Sequence, residues 1–399
     1  MVATEALTPG SEIESRIAKL QSELSRLGFD GALIVQRADL FYFTGTVQQG
    51  HLYVPREGAP IYLVNKSYER ARNESPLERV MPLASLRKLL PTLEEQGYKL
   101  PKILGMELDV IPANLFFNYK KLCDSCQLVD VSHSIRLLRA VKSTYELELM
   151  REAARLADRV SSFVPEVLKE GMTELELAGR IEAEARRLGH QGVMRMRLWG
   201  SELHFGHVMS GSAAAVPSFL SSPTGGTGAS PAVAQGPSFK RIGRNEPVLV
   251  DYVFAYRGYM ADHTRIFSLG ELPEELLAAH EAMLGIQGLV KKNAKPGAKA
   301  GELFEMALDR TRELGYENNF MGVGPDRVFF VGHGIGLEVD EYPFLARRQE
   351  LELEEGMTIA LEPKLVFPGK GVVGIENTHV VTPDGLDQLT LQNEDIVFV

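Results

Sequence analysis

Two acidic hairpins restrict the folding of this sequence more than any other feature. Residues 248–267 read VLVDYVFAYRGYMADHTRIF and are mostly apolar and β-prone, yet they include Asp251 and Asp262. If Tyr256 and Arg257 form a two-residue turn, Asp251 faces Asp262 across the ladder, with Cβ atoms roughly 4.5–5.5 Å apart. Two like charges this close repel each other, and burial strengthens the repulsion. The segment therefore predicts a shared proton or a bound cation, with a surface hairpin of two solvated acids as the alternative.

A second segment repeats this arrangement. Residues 357–381 read MTIALEPKLVFPGKGVVGIENTHVV and carry Glu362 and Glu376, each after an apolar run. The predicted turn is centred near Gly369, from which the two glutamates are equally distant, so an acid again faces an acid. Two such hairpins in one chain indicate a single constellation of carboxylates.

Both hairpins belong to a faint internal repeat. Residues 171–190 align with residues 297–316 at an offset of 126, and each of these predicted helices precedes one acidic hairpin. Duplicated units of this kind are expected to meet around a pseudo-two-fold axis, so that the hairpins converge. The Gly-, Ser- and Pro-rich residues 209–238 are too long for a simple connection and predict a loop near that site.

Composition and charge limit the classes of function. The chain has 399 residues, 44% hydrophobic and 24% charged, an ordinary balance for a globular protein of two domains. The net charge is −10 without a basic patch or arm, which argues against nucleic acid as a partner. We see no signal peptide and no apolar run that would span a membrane. Because Cys123 and Cys126 are the only cysteines, we expect ordinary thiols in a cytoplasmic protein.

The amino-terminal part reads as an α/β unit. Residues 11–28, SEIESRIAKLQSELSRLG, predict an amphipathic helix with a capping box of Ser11 and Glu14 and an end at Gly28. The apolar segments FDGALIV, LFYFTG, LYVP and PIYLV follow and predict strands. The sequence therefore begins with a helix and a sheet that share one core.

A long helix separates this unit from the rest of the chain. It is predicted to open at a second capping box, formed by Ser143 and Glu146. We place the domain boundary at its entry, which gives domains of residues 1–140 and 141–399.

One histidine lies between the acidic hairpins. His333 is flanked by glycines in FFVGHGIGLEVDEYP, so the backbone there can approach another group closely. An isolated histidine is usually structural, but this position in a predicted Gly-rich turn favours a fifth ligand.

The motifs LVDY, GYMADHTR, GHGIGLEV, ALEP and GIEN resemble those of metallopeptidase family M24, which includes prolidase, aminopeptidase P and methionine aminopeptidase. The residues around RLLRAVKS resemble the creatinase/prolidase amino-terminal domain. The resemblance covers nearly the whole chain. It implies an α/β amino-terminal domain followed by an α+β pita-bread catalytic domain.

The resemblance also implies a role for each acidic residue. Asp251 would bind one metal, Asp262 and Glu376 would bridge two metals, and His333 and Glu362 would complete the second site. Glu362 would in addition take the proton from the attacking water. Four carboxylates and one imidazole suit two divalent ions of Mn, Co, Zn or Fe, since no thiolate selects a softer metal.

The sequence departs from the family pattern at several substrate positions. Prolidase-like enzymes usually carry histidines where this chain has Phe329, Asp340 and Ala234, and an arginine where it has Gly374. The family histidines orient substrate and stabilise the tetrahedral intermediate. Their absence predicts an intact metal site beside altered substrate machinery.

Several residues are candidates for that altered machinery. His204, His207, His263 and His379 are candidate substitutes for the missing histidines, and the alternative for each is an ordinary strand or loop histidine. Asp340, when ionised, can only accept hydrogen bonds, so a substrate group facing it should be a donor. On this basis we expect Xaa-Pro dipeptides to be poor substrates.

Taken together, the residues and the resemblance predict a dinuclear-metal hydrolase. The expected class is an Xaa-Pro aminopeptidase or dipeptidase that acts on short peptides, as a homodimer and without nucleic acid or membrane as a partner. The alternatives are a creatinase-like hydrolase of a small non-peptide C–N bond, and a non-catalytic protein that retains the metal site.

Overall fold

The computed structural model describes residues 7–202 and 204–399, and the chain divides into two compact units. The first unit ends at Arg139, and the second spans Ala140–Val399. None of the described helices is both long enough and apolar enough to cross a bilayer.

The first unit is built on one mixed sheet with the strand order β4-β3-β2-β1-β5-β6. Its elements are α1 (Gly10–Leu27), β1 (Gly31–Ile34), α2 (Arg37–Thr44), β2 (Gly50–Pro55), β3 (Ile61–Val64), α3 (Tyr68–Glu74), β4 (Val80–Pro82), α4 (Leu89–Glu95), β5 (Ile103–Met106), α5 (Ala113–Leu122), β6 (Gln127–Asp130) and α6 (Ser132–Ala140). Strand β1 pairs antiparallel with β2 and parallel with β5. The sheet and helices enclose an apolar core, which matches the predicted α/β character of this unit.

Two local predictions in this unit are wrong. Helix α1 ends at Gly28 as predicted, but its N-cap is Pro9, so Ser11 lies inside the first turn and forms no capping box. Proline has no N–H to satisfy and enters the helix with a preset φ, which moves the start toward the amino terminus. The segment LFYFTG is not a strand, because α2 contains it, from a Gln36 side-chain cap to a left-handed Gly45. A short apolar run alone does not distinguish a buried helix from a strand.

The second unit opens with the long predicted helix. Its elements are α7 (Thr144–Val167), α8 (Glu174–Arg187), β7 (Gly206–Ser210), α9 (Gly211–Ala214), β8 (Val248–Tyr256), β9 (Tyr259–Ser268), α10 (Glu274–Asn293), α11 (Ala300–Glu313), β10 (Phe330–Gly334), β11 (Glu341–Ala346), β12 (Thr358–Leu361), β13 (Lys364–Phe367), β14 (Gly371–Gly374), β15 (Asn377–Thr382), β16 (Gly385–Gln388) and β17 (Val397–Phe398). Helix α7 begins at the predicted capping box of Ser143 and Glu146.

The predicted repeat is present in this unit. Helices α8 and α11 begin and end at equivalent positions with the offset of 126 seen in the sequence. Each follows a glycine with positive φ, Gly171 at 81° and Gly297 at 86°. Helix α8 packs against the sheet β17-β9-β8-β7, and α11 packs against the sheet β11-β10-β12-β15-β16. An isolated bridge between Thr264 and Glu376 connects the two sheets.

The register predicted for the first hairpin is wrong. The turn is Arg257–Gly258, with φ angles of 48° and 93°, which is one residue later than predicted. Two-residue hairpin turns of the favoured kind need positive φ at both central residues, and glycine adopts it without strain. Asp251 therefore pairs with Thr264, and Asp262 pairs with Val253. Since the shift amounts to two positions in the ladder, both aspartates still project from the same face.

The register predicted for the second hairpin is confirmed. Strands β12 and β15 pair Leu361 with Asn377, and β13 and β14 pair Lys364 with Gly374, which are all equidistant from Gly369. Glu362 and Glu376 lie in the short interruption between these two paired stretches. A break in the ladder lets the chain aim both carboxylates inward.

The Gly-, Ser- and Pro-rich segment begins later than predicted, because β7 and α9 take up its first residues. The remainder, from Ala215 onward, is largely irregular. Both of its flanks are held by the buried carboxylate of Glu174, which accepts hydrogen bonds from the amide and hydroxyl of Ser210 and of Ser238 at 2.6–2.9 Å. One side chain of α8 therefore fixes where this long loop leaves and rejoins the second unit.

Candidate metal centre

The five ligands implied by the sequence lie on the wall of one cavity in the second unit. The cavity has a volume of about 560 Å³, and its lining includes Asp251, Asp262, His333, Glu362 and Glu376. A larger surface groove of about 1150 Å³ runs along α10 and α11 and contains none of these residues. We therefore assign the site to the smaller cavity, where the buried carboxylates converge.

His333 lies in strand β10 and not in the predicted Gly-rich turn. His333 nevertheless lies beside an acidic hairpin, as expected. Strand β10 lies between β11 and β12, and Glu362 directly follows the end of β12. The Nδ1 of His333 lies 3.1 Å from the carbonyl oxygen of Gly334. A carbonyl only accepts, so Nδ1 carries the hydrogen and Nε2 presents its lone pair to the cavity, as a metal ligand must.

A lysine that the sequence reasoning did not consider stands among the carboxylates. The Nζ of Lys364 donates to Asp251 Oδ2 at 3.0 Å, to Glu362 Oε2 at 2.8 Å and to Glu376 Oε2 at 2.7 Å. An ammonium group has three N–H donors, so these three carboxylates satisfy it completely. The Lys364 side chain is fully buried, with no exposed surface.

The local sequence explains why Lys364 points inward. It follows Glu362 by two residues, and alternate residues of an extended chain share a face. It also lies directly opposite Gly374, whose φ is +148°. A Cβ at Gly374 would approach the backbone oxygen of Pro363 at 2.4 Å and the Cα of Lys364 at 2.7 Å. Glycine at position 374 therefore leaves the space in which the lysine side chain turns toward the acids.

A second group of ligand atoms lies beside the lysine. Single ligand atoms of Asp262, His333 and Glu376 come within 4.8 Å of one another, as around one metal ion. The Nε2 of His333 lies 3.6 Å from Glu362 Oε1 and 3.9 Å from Glu376 Oε1. Each glutamate thus directs one oxygen toward the ammonium and the other toward the histidine.

These residues fit a divalent cation. Asp262 is 5% exposed, and its buried Oδ1 accepts no hydrogen bond from any part of the chain that the structure describes. A buried carboxylate oxygen without a donor is strongly unfavourable, whereas a cation would satisfy it. The donor set of carboxylate oxygens and one imidazole suits Mn²⁺, Fe²⁺, Co²⁺ and Zn²⁺.

The pKa values in the cluster distinguish Asp251, which lies beside Lys364, from Asp262 and Glu376. Burial and the neighbouring charge of Asp251 raise the pKa of Asp262 well above its usual value. Burial and the charge of Asp262 likewise raise the pKa of Glu376. Burial acts to raise the pKa of Asp251, but the Lys364 ammonium, His207 and the hydrogen bond from Thr264 together lower it below its usual value. The charge of the cluster is thus compensated at Asp251 and uncompensated at Asp262.

Hydrogen bonds outside the ligand set hold Glu376 in place. Thr264 Oγ1 donates to Glu376 Oε2 at 2.9 Å, beside the bond from the lysine. The guanidinium of Arg265, which is completely buried, donates to the backbone oxygen of Glu376 and to the side chain of Asn377. Groups that orient a ligand in this way typically change metal affinity 10–100-fold.

The three predicted substrate residues lie in different surroundings. His207 is buried at the cavity wall, opposite Asp251 in the ladder, and its nitrogens lie 3.2 Å from Thr224 Oγ1 and 3.4 Å from Gln235 Oε1. Burial lowers its pKa, so the imidazole is neutral near pH 7. His204 is not part of this cavity wall. Its side chain is 72% exposed and lies 3.5 Å from Glu182.

Asp340 lines the cavity, but its carboxylate already has partners. Its two oxygens accept the backbone N–H groups of Arg197 and Leu198 at 2.7 and 2.6 Å. The residue therefore anchors the 197–198 backbone to the β10–β11 connection. These backbone donors occupy one acceptor position on each oxygen, and the sequence prediction that a substrate donor faces Asp340 stays a prediction.

One of the other departures from the family pattern, Phe329, belongs to an apolar wall of the cavity. Phe329 lines it together with Phe330, Phe344 and Val339, and the guanidinium of Arg347 lies 4.3 Å from the Phe329 ring centroid. Residues 220–222 of the long loop also contribute to the wall, so the loop lies near the site as predicted. The site thus combines an acidic floor with an apolar rim, which is typical of pockets for small ligands.

Comparison with known proteins gives a family match for each unit. Residues 148–383 match the family model described as Metallopeptidase family M24, and residues 16–141 match the Creatinase/Prolidase N-terminal domain. The Xaa-Pro dipeptidase of Pyrococcus furiosus is 27% identical over 390 residues, which cover 96% of this chain and 100% of that protein.

Comparison with solved structures also finds prolidases and Xaa-Pro dipeptidases. The prolidase of Pyrococcus horikoshii superposes with a TM-score of 0.80 at 26% identity, covering 95% of this chain and 99% of that one. The Xaa-Pro dipeptidase of Bacillus anthracis has a TM-score of 0.83 at 25% identity, covering 97% and 100%. The fold class predicted from the sequence is confirmed: an α/β amino-terminal domain precedes an α+β domain of the pita-bread type.

Proposed function

Because this chain belongs to metallopeptidase family M24, we propose that it is a metal-dependent hydrolase of short peptides, of the Xaa-Pro dipeptidase type. The observation that carries this proposal is the cluster of Asp262, His333 and Glu376 on the wall of a peptide-sized cavity. The relatives named Xaa-Pro dipeptidase align with this chain over almost their full length, which supports the same class of substrate.

The proposed cofactor is a divalent cation held by Asp262, His333 and Glu376. When bound there, it would supply Lewis acidity toward the scissile carbonyl and lower the pKa of a coordinated water. Mn²⁺, Co²⁺, Zn²⁺ and Fe²⁺ are compatible with these ligands. The sequence predicts two ions, with Asp251 and Glu362 as further ligands, but both of these carboxylates are bonded to Lys364.

In this mechanism Glu362 is the general base. Its Oε2 is fixed by the Lys364 ammonium at 2.8 Å, while its Oε1 faces the cavity near His333. Oε1 would accept a proton from the attacking water and return it to the peptide nitrogen as the C–N bond breaks. Fixing one oxygen of a carboxylate orients the other, which lowers the entropic part of the barrier.

The apolar rim supports a small apolar residue at the cleaved position. Phe329 and Phe344 line the cavity, and a pyrrolidine ring has no N–H that such a wall would leave unsatisfied. Backbone amides already engage both oxygens of Asp340, so this carboxylate is partnered without a donor on the substrate. We therefore propose Xaa-Pro peptides as substrates, against the expectation drawn from Asp340 in the sequence.

A metal and substrate panel tests this proposal. The purified protein is loaded with Mn²⁺, Co²⁺ or Zn²⁺ and assayed on Ala-Pro, Gly-Pro and longer X-Pro peptides. Ala-Ala and creatine are assayed beside them as substrates of other classes. Cleavage of Xaa-Pro bonds should require metal and disappear in Glu362→Gln at unchanged metal content. The matched control is Glu355→Gln, an exposed glutamate of the same unit, which should remain active.

Three results would contradict the proposal. Preferential hydrolysis of creatine would favour the small C–N bond alternative, and metal binding without any hydrolysis would favour a non-catalytic protein. Equal losses of metal and rate in Glu362→Gln would make this residue a ligand only. A cytoplasmic location and a homodimer, both expected from the sequence, stay predictions.

A further inference from the structure

We propose that Lys364 occupies one of the two cation positions of this cluster, so that the chain binds one divalent ion where the sequence predicts two. The inference rests on the proposed function only in assuming that a divalent ion binds beside His333. The geometry of the carboxylates supports the inference, and the number of bound ions tests it independently of catalysis.

The cluster has two cation positions because two glutamates face both ways. The first position is surrounded by Asp251 Oδ2, Glu362 Oε2 and Glu376 Oε2, and Lys364 Nζ lies at its centre, 2.7–3.0 Å from each. The second position is bounded by Asp262 and His333 together with the opposite oxygen of Glu376. We name them the lysine position and the histidine position.

An ion cannot share the lysine position with the ammonium group. Metal–oxygen bonds of about 2.0–2.2 Å would draw on the same oxygen lone pairs that accept the lysine N–H groups. A divalent ion there would also lie next to a full positive charge in a medium of low dielectric constant, where like charges repel strongly. The lysine would have to leave before the ion entered.

Moving Lys364 away from the three carboxylates would be unfavourable. Its side chain is fully buried, and the hairpin partner opposite it, Gly374, provides the space that the side chain uses. Moving the ammonium out of the carboxylates without reaching water would leave a buried, unpaired charge, which is strongly unfavourable. The lysine is therefore a resident part of the site.

The net charge of the cluster is compatible with one ion. Four carboxylates, those of Asp251, Asp262, Glu362 and Glu376, face a single ammonium. One divalent ion leaves one uncompensated negative charge, whereas two divalent ions would leave an excess positive charge beside the lysine. Among the described residues, the buried Oδ1 of Asp262 has no hydrogen-bond partner, which marks the histidine position as the one that still needs a cation.

Metal stoichiometry tests the inference directly. The protein is stripped with a chelator, reloaded by titration with Mn²⁺, and measured by elemental analysis and calorimetry. Wild type should bind one Mn²⁺ per chain, and its electron paramagnetic resonance spectrum should show an isolated ion. Lys364→Met, which keeps the volume but removes the charge, should bind two Mn²⁺ per chain and show exchange coupling between them.

Lys370→Met is the matched control, because this lysine is exposed on the turn of the same hairpin and pairs with Glu275 outside the cluster. It should bind one Mn²⁺, like wild type. Two tightly bound ions in wild type, or none, would overturn the inference even if Lys364→Met fails to fold. A folded Lys364→Met variant that still binds one ion would also overturn it.

The outcome is distinguishable from failure of the proposed function. If wild type binds a single Mn²⁺ but cleaves no peptide, the proposed function is wrong and the one-ion assignment stands. If it cleaves Xaa-Pro peptides with two bound ions, the function stands and the role of Lys364 is wrong.

Discussion

The two acidic hairpins bring their carboxylates to one place but neutralise them differently. The β8–β9 hairpin contributes Asp251 and Asp262 and has no cation of its own at the site. The second hairpin contributes Glu362 and Glu376 and places Lys364 between them, on the same chain. Lys364 also donates to Asp251 of the first hairpin, so one lysine serves carboxylates of both halves and leaves Asp262 to the proposed ion. The difference teaches that a duplicated scaffold can supply a cation from one half only and share it with the other.

The largest effect should come from removing the internal cation. In the metal-free protein, Lys364→Met leaves three buried carboxylates without their shared partner, a change that typically costs about 3–5 kcal/mol. Thermal unfolding should show a marked fall in the midpoint of the second unit. Added Mn²⁺ should raise the midpoint more in Lys364→Met than in wild type, because the ion replaces the lost charge. An unchanged midpoint without metal would mean that the three ion pairs contribute nothing.

In the metal-free protein, Asp262→Asn should not lower the stability as Lys364→Met does. Removing this charge relieves repulsion among buried acids, so the unfolding midpoint should be equal to wild type or higher. Mn²⁺ affinity should fall by at least about 100-fold, beyond what losing an orienting group costs. Asp387→Asn, an exposed substitution in the same unit, is the control. Retained Mn²⁺ affinity would show that Asp262 is not a ligand.

Gly374→Ala tests the space in which the lysine lies. The added Cβ would lie 2.4 Å from the oxygen of Pro363 at a φ that favours glycine, so the second hairpin should lose about 2 kcal/mol. Gly179→Ala, in helix α8 with no neighbouring atom within 4 Å, should be neutral or stabilising. Equal unfolding midpoints for Gly374→Ala and wild type would remove the steric argument for Lys364.

The smallest effect should come from the bond between the two hairpins. Thr264→Val removes the donor at 2.9 Å from Glu376 Oε2 while keeping the shape of the side chain. We expect a loss of about 1 kcal/mol in stability and about a tenfold loss in Mn²⁺ affinity. Calorimetric titration beside wild type measures the second quantity. No change in affinity would mean that the Thr264 bond does not help to orient Glu376.

Turn chemistry explains why the register predicted from the sequence is correct for the second hairpin and displaced for the first. In the second hairpin the long symmetric turn around Gly369 defines the register, and the apolar runs on both sides agree with it. In the first hairpin the turn had to be chosen between neighbouring residue pairs, and the positive φ of Gly258 decides it. An error of two ladder positions kept the aspartates on one face, so the predicted convergence of acids survived.

The sequence reasoning missed Lys364 because a lysine is normally assigned to solvent. Its position two residues after Glu362 places it on the same face as that acid, and its partner across the hairpin is a glycine. Those two signals could have identified an inward lysine. The separation of His204 from His207 had no such signal, since it depends on where one strand begins.

Anomalous scattering from a crystal of the manganese-loaded protein tests the central claim most directly. Data collected near the manganese absorption edge locate each bound ion without reference to activity. We predict one anomalous peak at the histidine position, within bonding distance of Asp262, His333 and Glu376, with the Lys364 side chain still among its three carboxylates. A second peak at the lysine position, with Lys364 displaced from Asp251, would contradict the account.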